Sequence, residues 1–254
     1  MSKEKFRLDG KKAIVTGASR GIGQALAIAL AEAGADVAIC GRKAEALEET
    51  AGQIKSLGRD VIALPCHVGK SDQIRAFLDQ IYEKWDFVDI LVNNAATNPI
   101  FGPTLNAEEW AFDKIMATNL KGPFVLCLEV GKKMLKAKKG SIINVSSVAG
   151  ITPGMGLGVY SVSKAGLIML TKVLASEWGS AGVRVNCVAP GVIKTKFSQA
   201  IWSNDVFLDE VTKTTPLCRI GECDEIGGSV VFLASDAASF ITGQTIVIDG
   251  GGRM

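Results

Sequence analysis

An alternation constrains this chain of 254 residues more than any other feature. Short apolar runs rich in β-branched residues recur at 13–16, 36–40, 61–66, 89–92, 141–145, 183–188 and 245–248. Between them lie longer stretches of helical character, at 23–33, 44–57, 72–84 and 159–178. The first six runs are continuously apolar rather than alternating, which predicts strands buried on both faces of a parallel sheet. Strand and helix in strict succession predict an α/β fold, a doubly wound parallel sheet of about seven strands with helices on both faces. No linker, repeat or low-complexity tract interrupts the rhythm, so a single domain over 1–254 is expected. The stretch 194–219 breaks the pattern with mixed polar and aromatic residues. Long connections at the carboxyl ends of such strands are where ligands bind, so this stretch is expected to cover a substrate.

Composition narrows the function classes. Hydrophobic residues make up 48% of the chain, enough for a substantial core, and the net charge of +2 is too small to attract nucleic acid. The densest basic stretch, Lys132, Lys133, Lys136, Lys138 and Lys139, reads as the solvated end of a helix. The first eight residues are polar and charged, with no secretory h-region, and no run approaches the ~18 consecutive apolar residues of a membrane span. No membrane partner is therefore expected. Six cysteines and the single histidine, His67, do not form a Cys/His metal pattern, so no metal site is expected. Four of the cysteines lie in apolar runs, as small buried hydrophobes do, and a reducing, cytoplasmic setting follows.

The first strand runs into Thr16-Gly-Ala-Ser-Arg-Gly-Ile-Gly23, with Gly17, Gly21 and Gly23 spaced as G-x-x-x-G-x-G. Glycine lets a backbone turn tightly and approach a pyrophosphate. The helix that follows offers unpaired N–H groups and a positive dipole end to an anion. A strand, a glycine turn and a helix in this order predict a Rossmann-type dinucleotide site, built from Gly17, Ser19, Arg20, Gly21, Ile22 and Gly23. Enzymes that use NAD place an acid at the end of the second strand for the ribose 2′-OH. Here Gly41 stands at that place and Arg42 follows it. Arginine pairs strongly with phosphate, so Arg20 and Arg42 predict a clamp on the 2′-phosphate of NADP(H).

A second motif, Tyr160-Ser-Val-Ser-Lys164, places Tyr160 and Lys164 on one helix face by their spacing of four. Ser146 and Ser147 end the fifth strand, and Asn119 lies in the preceding helical segment. With Asn93-Asn94-Ala95 and Ala189-Pro190-Gly191, these motifs resemble the short-chain dehydrogenase/reductase family in order and spacing, over nearly the whole chain. The resemblance implies a hydride-transfer oxidoreductase with Asn119, Ser147, Tyr160 and Lys164 as its catalytic set. In that reading Ser147 hydrogen-bonds the carbonyl oxygen and Tyr160 donates a proton to it. Lys164 lowers the pKa of the phenol and bonds the nicotinamide ribose, and Asn119 holds a relay water. The resemblance also assigns cofactor contacts to His67, Val68, Asn94, Tyr160, Lys164, Pro190, Gly191, Ile193 and Thr195. The dinucleotide-binding core is expected at about 10–190.

Two positions depart from the family pattern. His67 stands where relatives carry Asp or Asn towards the adenine, and it reads equally as an adenine contact or a strand-end residue. Ala96 replaces a glycine. The loop 93–103 and the segment 192–202 resemble tetrameric NADPH-dependent carbonyl reductases. Arg219-Ile-Gly221 and Ile241-Thr-Gly243 resemble 3-oxoacyl-(acyl carrier protein) reductases, but Ser176 stands where an arginine would dock the acidic carrier. Ile151, Met155, Leu157, Phe197, Ile201, Trp202 and Phe207 predict a mostly apolar pocket for a small carbonyl substrate. A catalytically silent NADP sensor would have lost Tyr160 or Lys164, and this chain keeps both. Analogy predicts a homotetramer that pairs helices through 121–137 and 159–178, with an oligomerising C-terminal end at about 240–254.

Overall fold

The computed structural model describes residues 3–253. Met1, Ser2 and Met254, the outermost residues of the expected domain, lie outside them. Seven parallel strands form one sheet in the order β3-β2-β1-β4-β5-β6-β7. They are β1 (Lys12–Thr16), β2 (Asp36–Gly41), β3 (Val61–Pro65), β4 (Ile90–Asn93), β5 (Gly140–Val145), β6 (Val183–Pro190) and β7 (Thr245–Ile248). Each matches an expected run to within a residue or two. The order reverses between β1 and β4, which pair in parallel through Ala13–Ile90, Ile14–Leu91 and Val15–Val92. The crossovers diverge on either side of that pair, so a crevice opens beyond the carboxyl ends of the strands.

Helices cover both faces. On one side α1 (Gly21–Glu32), α2 (Glu48–Ser56) and α9 (Gly227–Ala234) pack Leu26, Leu30, Ile54, Val230 and Leu233 over Val15, Ile39, Val92 and Val188. On the other side α3 (Ser71–Tyr82), α5 (Gly122–Ala137) and α6 (Gly158–Trp178) pack Phe77, Ile81, Leu126, Met134, Leu174 and Trp178 over Ile14, Leu91, Ile142 and Val185. Gly131 admits the Trp178 ring, since a Cβ at 131 would stand 2.6 Å from it. The helix α4 (Glu109–Met116) runs into α5 through a π turn over Ala117–Lys121. By length and composition α6 could cross a membrane, but half of it is buried, and it packs on β5 and β6 as a core helix.

One expectation fails at the sheet edge. β3 is not buried on both faces: Ala63 and Pro65 are exposed and Val61 and Leu64 only partly covered. Its run is apolar enough for the interior, but only β2 flanks it, so it cannot be enclosed as β1 and β5 are. The expected covering segment holds two short helices, α7 (Gln199–Trp202) and α8 (Asp205–Thr214), neither of which buries a residue.

Candidate active site

Four strand ends converge at the crevice. Thr16 ties β1 to the segment after β4, its hydroxyl accepting from the N–H groups of Asn94 (3.0 Å) and Ala95 (3.1 Å). The Asn94 amide donates to the carbonyls of Thr16 (2.9 Å) and Gly17 (3.2 Å), so this contact residue also braces the glycine turn. Gly17 has φ +67° and Gly21 φ +60°, conformations that favour glycine. A Cβ at Gly23 would stand 2.2 Å from the Gly17 carbonyl oxygen, so the turn closes only on glycine. Arg20 caps α1 without a side-chain bond, and no acidic residue lies in the first turn of that helix. Its N–H groups are therefore presented to an anion.

The end of β2 completes the adenosine side. A Cβ at Gly41 would stand 3.5 Å from that of Ser19 and 3.3 Å from Leu47, which places the second strand end beside the glycine turn. Arg20 and Arg42 are both exposed. This surface suits a phosphate group and carries no acid at Gly41 to oppose one. Val68 is buried. His67 is held at its strand end, where Nδ1 accepts from the Gly69 N–H at 3.0 Å and its own N–H donates to Gln73 at 2.9 Å. One of its ring nitrogens is therefore engaged in the turn. On the nicotinamide side, Pro190 and Ile193 are buried, and Gly191 lies against Asp249, where a Cβ would meet the Asp249 Cβ at 2.7 Å. Thr195 borders the glycine turn, 3.4 Å from the place of a Cβ on Gly21. The residues present thus fit a dinucleotide: glycine where backbone must approach, free N–H groups at a helix start, and a second strand end, Gly41, beside the glycine turn.

The residues expected to be catalytic are gathered around α6. Ser146 donates to the Lys164 carbonyl at 2.9 Å, which draws the helix onto the end of β5. Asn144 donates to Thr171 at 2.8 Å and accepts from Asn93 at 2.9 Å, a buried ladder from β4 through β5 to α6. Ser147 accepts from the Ala149 N–H at 3.1 Å and lies close enough to the Tyr160 phenol to lower its pKa. Burial pushes the Tyr160 phenol up to about 12, against the lowering effect of Ser147. The Lys164 ammonium donates to the Val145 carbonyl at 2.7 Å and stands 5.7 Å from the centre of the tyrosine ring. The lowering expected from Lys164 is one it exerts together with the positive charge of an oxidised nicotinamide. Lys164 is itself wholly buried, and burial pulls its pKa down to about 8.

Asn119 sits in the π turn. Its amide oxygen accepts from the Thr97 N–H at 2.8 Å, and its nitrogen donates to the Thr97 carbonyl (3.0 Å) and to Ser163 (3.1 Å). Ser163 in turn donates to the Tyr160 carbonyl at 2.7 Å. The amide thus ties the π turn to the helix that carries the tyrosine. Sequence reasoning missed Ser163 and Thr97. Ser163 was visible one residue before Lys164, but its partner lies 44 positions away. Of the expected apolar pocket, Ile151, Met155, Phe197 and Phe207 are exposed, and Leu157, Ile201 and Trp202 are partly covered.

Comparison with known proteins agrees with this geometry. A family model described as enoyl-(acyl carrier protein) reductase matches residues 17–252. The chain is 41% identical over 244 residues to dehydrogenase/reductase SDR family member 4 of Bos taurus, covering 96% of this chain and 88% of that protein. It is similar to the solved structure of a gluconate 5-dehydrogenase from Burkholderia cenocepacia J2315 in complex with NADP and tartrate, with TM-score 0.93, 35% identity, and 98% and 97% of the two chains covered. A short-chain type dehydrogenase/reductase from Mycobacterium marinum is equally similar, with TM-score 0.92, 36% identity and 98% of each chain covered. With the strand-end turn, the buried tyrosine and lysine, and matches over nearly its whole length, the chain belongs to the short-chain dehydrogenase/reductase family and is an oxidoreductase that uses a nicotinamide cofactor.

Proposed function

We propose that the chain reduces apolar ketones or aldehydes to alcohols with NADPH, reversibly. The observation that carries this reading is a buried proton donor, Tyr160, with Ser147 close enough to act on its phenol and the half-exposed Phe197 ring 5.8 Å from its own. The bound cofactor supplies hydride. Ser147 holds the carbonyl oxygen, and Tyr160 delivers its proton to that oxygen as negative charge develops there. A phenol pushed up to about 12 stays protonated at neutral pH, as an acid in the reductive direction must. Lys164, at about 8, exchanges protons readily near neutrality, which suits a group that reprotonates the phenol. Arg20 and Arg42, exposed beside Gly41, favour a 2′-phosphate over a free hydroxyl.

The proposed setting is cytoplasmic, supported by six free thiols. The proposed assembly is a homotetramer, supported by apolar side chains exposed on α4–α6.

The test is oxidation of NADPH, with NADH in parallel, against apolar ketones, retinal, an acetoacetyl thioester and, in reverse, gluconate. Apolar ketones should turn over with NADPH, Tyr160→Phe should abolish turnover while still binding cofactor, and Arg42→Asp should erase the preference for NADPH. Turnover dominated by the thioester or by gluconate overturns the substrate assignment. A preference untouched by Arg42→Asp overturns the cofactor assignment.

A further inference from the structure

Three side chains of the covering segment, Phe197, Ser198 and Trp202, have no part in the chemistry above. The Phe197 ring centre stands 5.8 Å from that of Tyr160, with the planes tilted by 43°. Phe197 remains 55% exposed while Tyr160 is 8% exposed, so an aromatic ring is left half open to solvent beside the buried tyrosine.

The covering segment has no buried core of its own to hold such a ring in place, since neither α7 nor α8 buries a residue. Hydrogen bonds hold it instead. The Ser198 hydroxyl donates to the Ile193 carbonyl, the Ser198 N–H donates to the Thr195 hydroxyl at 3.2 Å, and the Thr195 N–H donates to the Ser198 hydroxyl at 3.1 Å. The Trp202 indole N–H donates to the Thr195 carbonyl at 2.8 Å, and the Lys194 ammonium lies 6.0 Å from the centre of its ring. Phe197 is therefore clasped from the following residue and from one turn beyond. Both anchors are on 193–195, the strand end that borders the glycine turn.

We propose that Phe197 is the specificity-determining residue of this site. It presents a flat apolar wall that selects ketones with a planar aryl or conjugated substituent over non-planar ketones of the same bulk. Ser198 and Trp202 are the positioning residues that keep the wall beside Tyr160. The inference rests on the reading of Tyr160 as the acid of a ketone reductase. A planar group stacks on the half-open ring of Phe197 with its carbonyl at the phenol, whereas a puckered ring of equal volume meets the wall at only a few atoms. Such a wall is expected to favour the planar substrate by roughly five- to tenfold in kcat/KM.

The experiment compares acetophenone with cyclohexyl methyl ketone, which share a carbon skeleton and differ in ring planarity and conjugation, so that the Phe197 variants supply the control for intrinsic carbonyl reactivity. Kinetics are run on the full-length protein and on Phe197→Leu, Phe197→Tyr and Trp202→Phe, with thermal melts to verify folding and NADPH fluorescence to verify cofactor binding. The parent should prefer acetophenone, Phe197→Leu should bring the ratio near one, and Phe197→Tyr, which keeps the ring, should retain it. Trp202→Phe keeps an aromatic ring but loses the N–H, and should raise KM for acetophenone severalfold with a smaller change in kcat. A parent that reduces both ketones without distinction, or a preference that survives Phe197→Leu, overturns the wall while leaving the ketone-reductase reading intact. A parent that reduces neither ketone but oxidises gluconate overturns that reading and the wall together.

Discussion

Lys164 shows how a single residue trades stability for chemistry. It is 2% exposed, with one hydrogen bond to the Val145 carbonyl and no carboxylate partner among the described residues, and burial lowers its pKa from 10.5 to about 8. The unfolded chain holds this proton up to its ordinary pKa, while the folded chain releases it near 8. Between those values the unfolded state binds more protons, so stability rises with pH there. Below about 8 the protein carries the full penalty of a buried ammonium, on the order of 3 kcal/mol. Lys164→Met should therefore abolish turnover and raise the melting temperature at pH 7, with the advantage shrinking as pH climbs from about 8 towards 10.5. Calorimetry of both proteins across that range checks it, and a variant that melts lower at pH 7 refutes it. The spacing from Tyr160 to Lys164 was legible from the chain alone, because four residues bring two side chains to one helix face wherever the helix lies. The pKa values were not, because desolvation depends on what β5, β6 and the covering segment place around them.

At the scale of elements, the strands and long helices were legible because apolar periodicity acts within a few residues. The π turn over Ala117–Lys121 was not. No local pattern separates it from the helices on either side, and Asn119 in it bonds Thr97 and Ser163, 22 and 44 positions away. Asn119→Ala would orphan both backbone groups of Thr97 together with the Ser163 contact. A loss on the order of 3 kcal/mol is expected, read as a lower urea midpoint, with Asn119→Asp intermediate because it keeps the acceptor but not the donor. Equal stability in Asn119→Ala would show that these bonds are replaced by water. The exposure of β3 has the same origin in neighbours: an apolar run does not reveal whether a second strand will flank it, and here only β2 does.

At the scale of the whole molecule, three helices carry apolar side chains into solvent. Trp110, Phe124, Val162, Met169 and Val173, on α4, α5 and α6, are between 42% and 57% exposed. Ala165 and Ser176, small and exposed on α6, allow another helix to approach closely. A large exposed apolar face is the signature of an interface rather than of a monomer surface. Light scattering should report an oligomer, and Met169→Glu with Val173→Glu should dissociate it while leaving the far-ultraviolet circular dichroism unchanged. A parent protein that scatters as a monomer removes this assignment without touching the catalytic one.

The features that could be read from the chain alone are those set by short-range geometry. Alternating apolar runs specify strands and helices, glycine at 17, 21 and 23 specifies a turn that backbone can close, and Tyr160 with Lys164 specifies a helix face. Residues distant in sequence settled the rest: the direction in which Tyr160 and Lys164 titrate, the duty of the Asn119 amide, the exposure of β3, and the ring of Phe197 beside the phenol. Dielectric surroundings and packing partners are supplied by other elements across the fold, so those properties exist only once the chain has closed on itself.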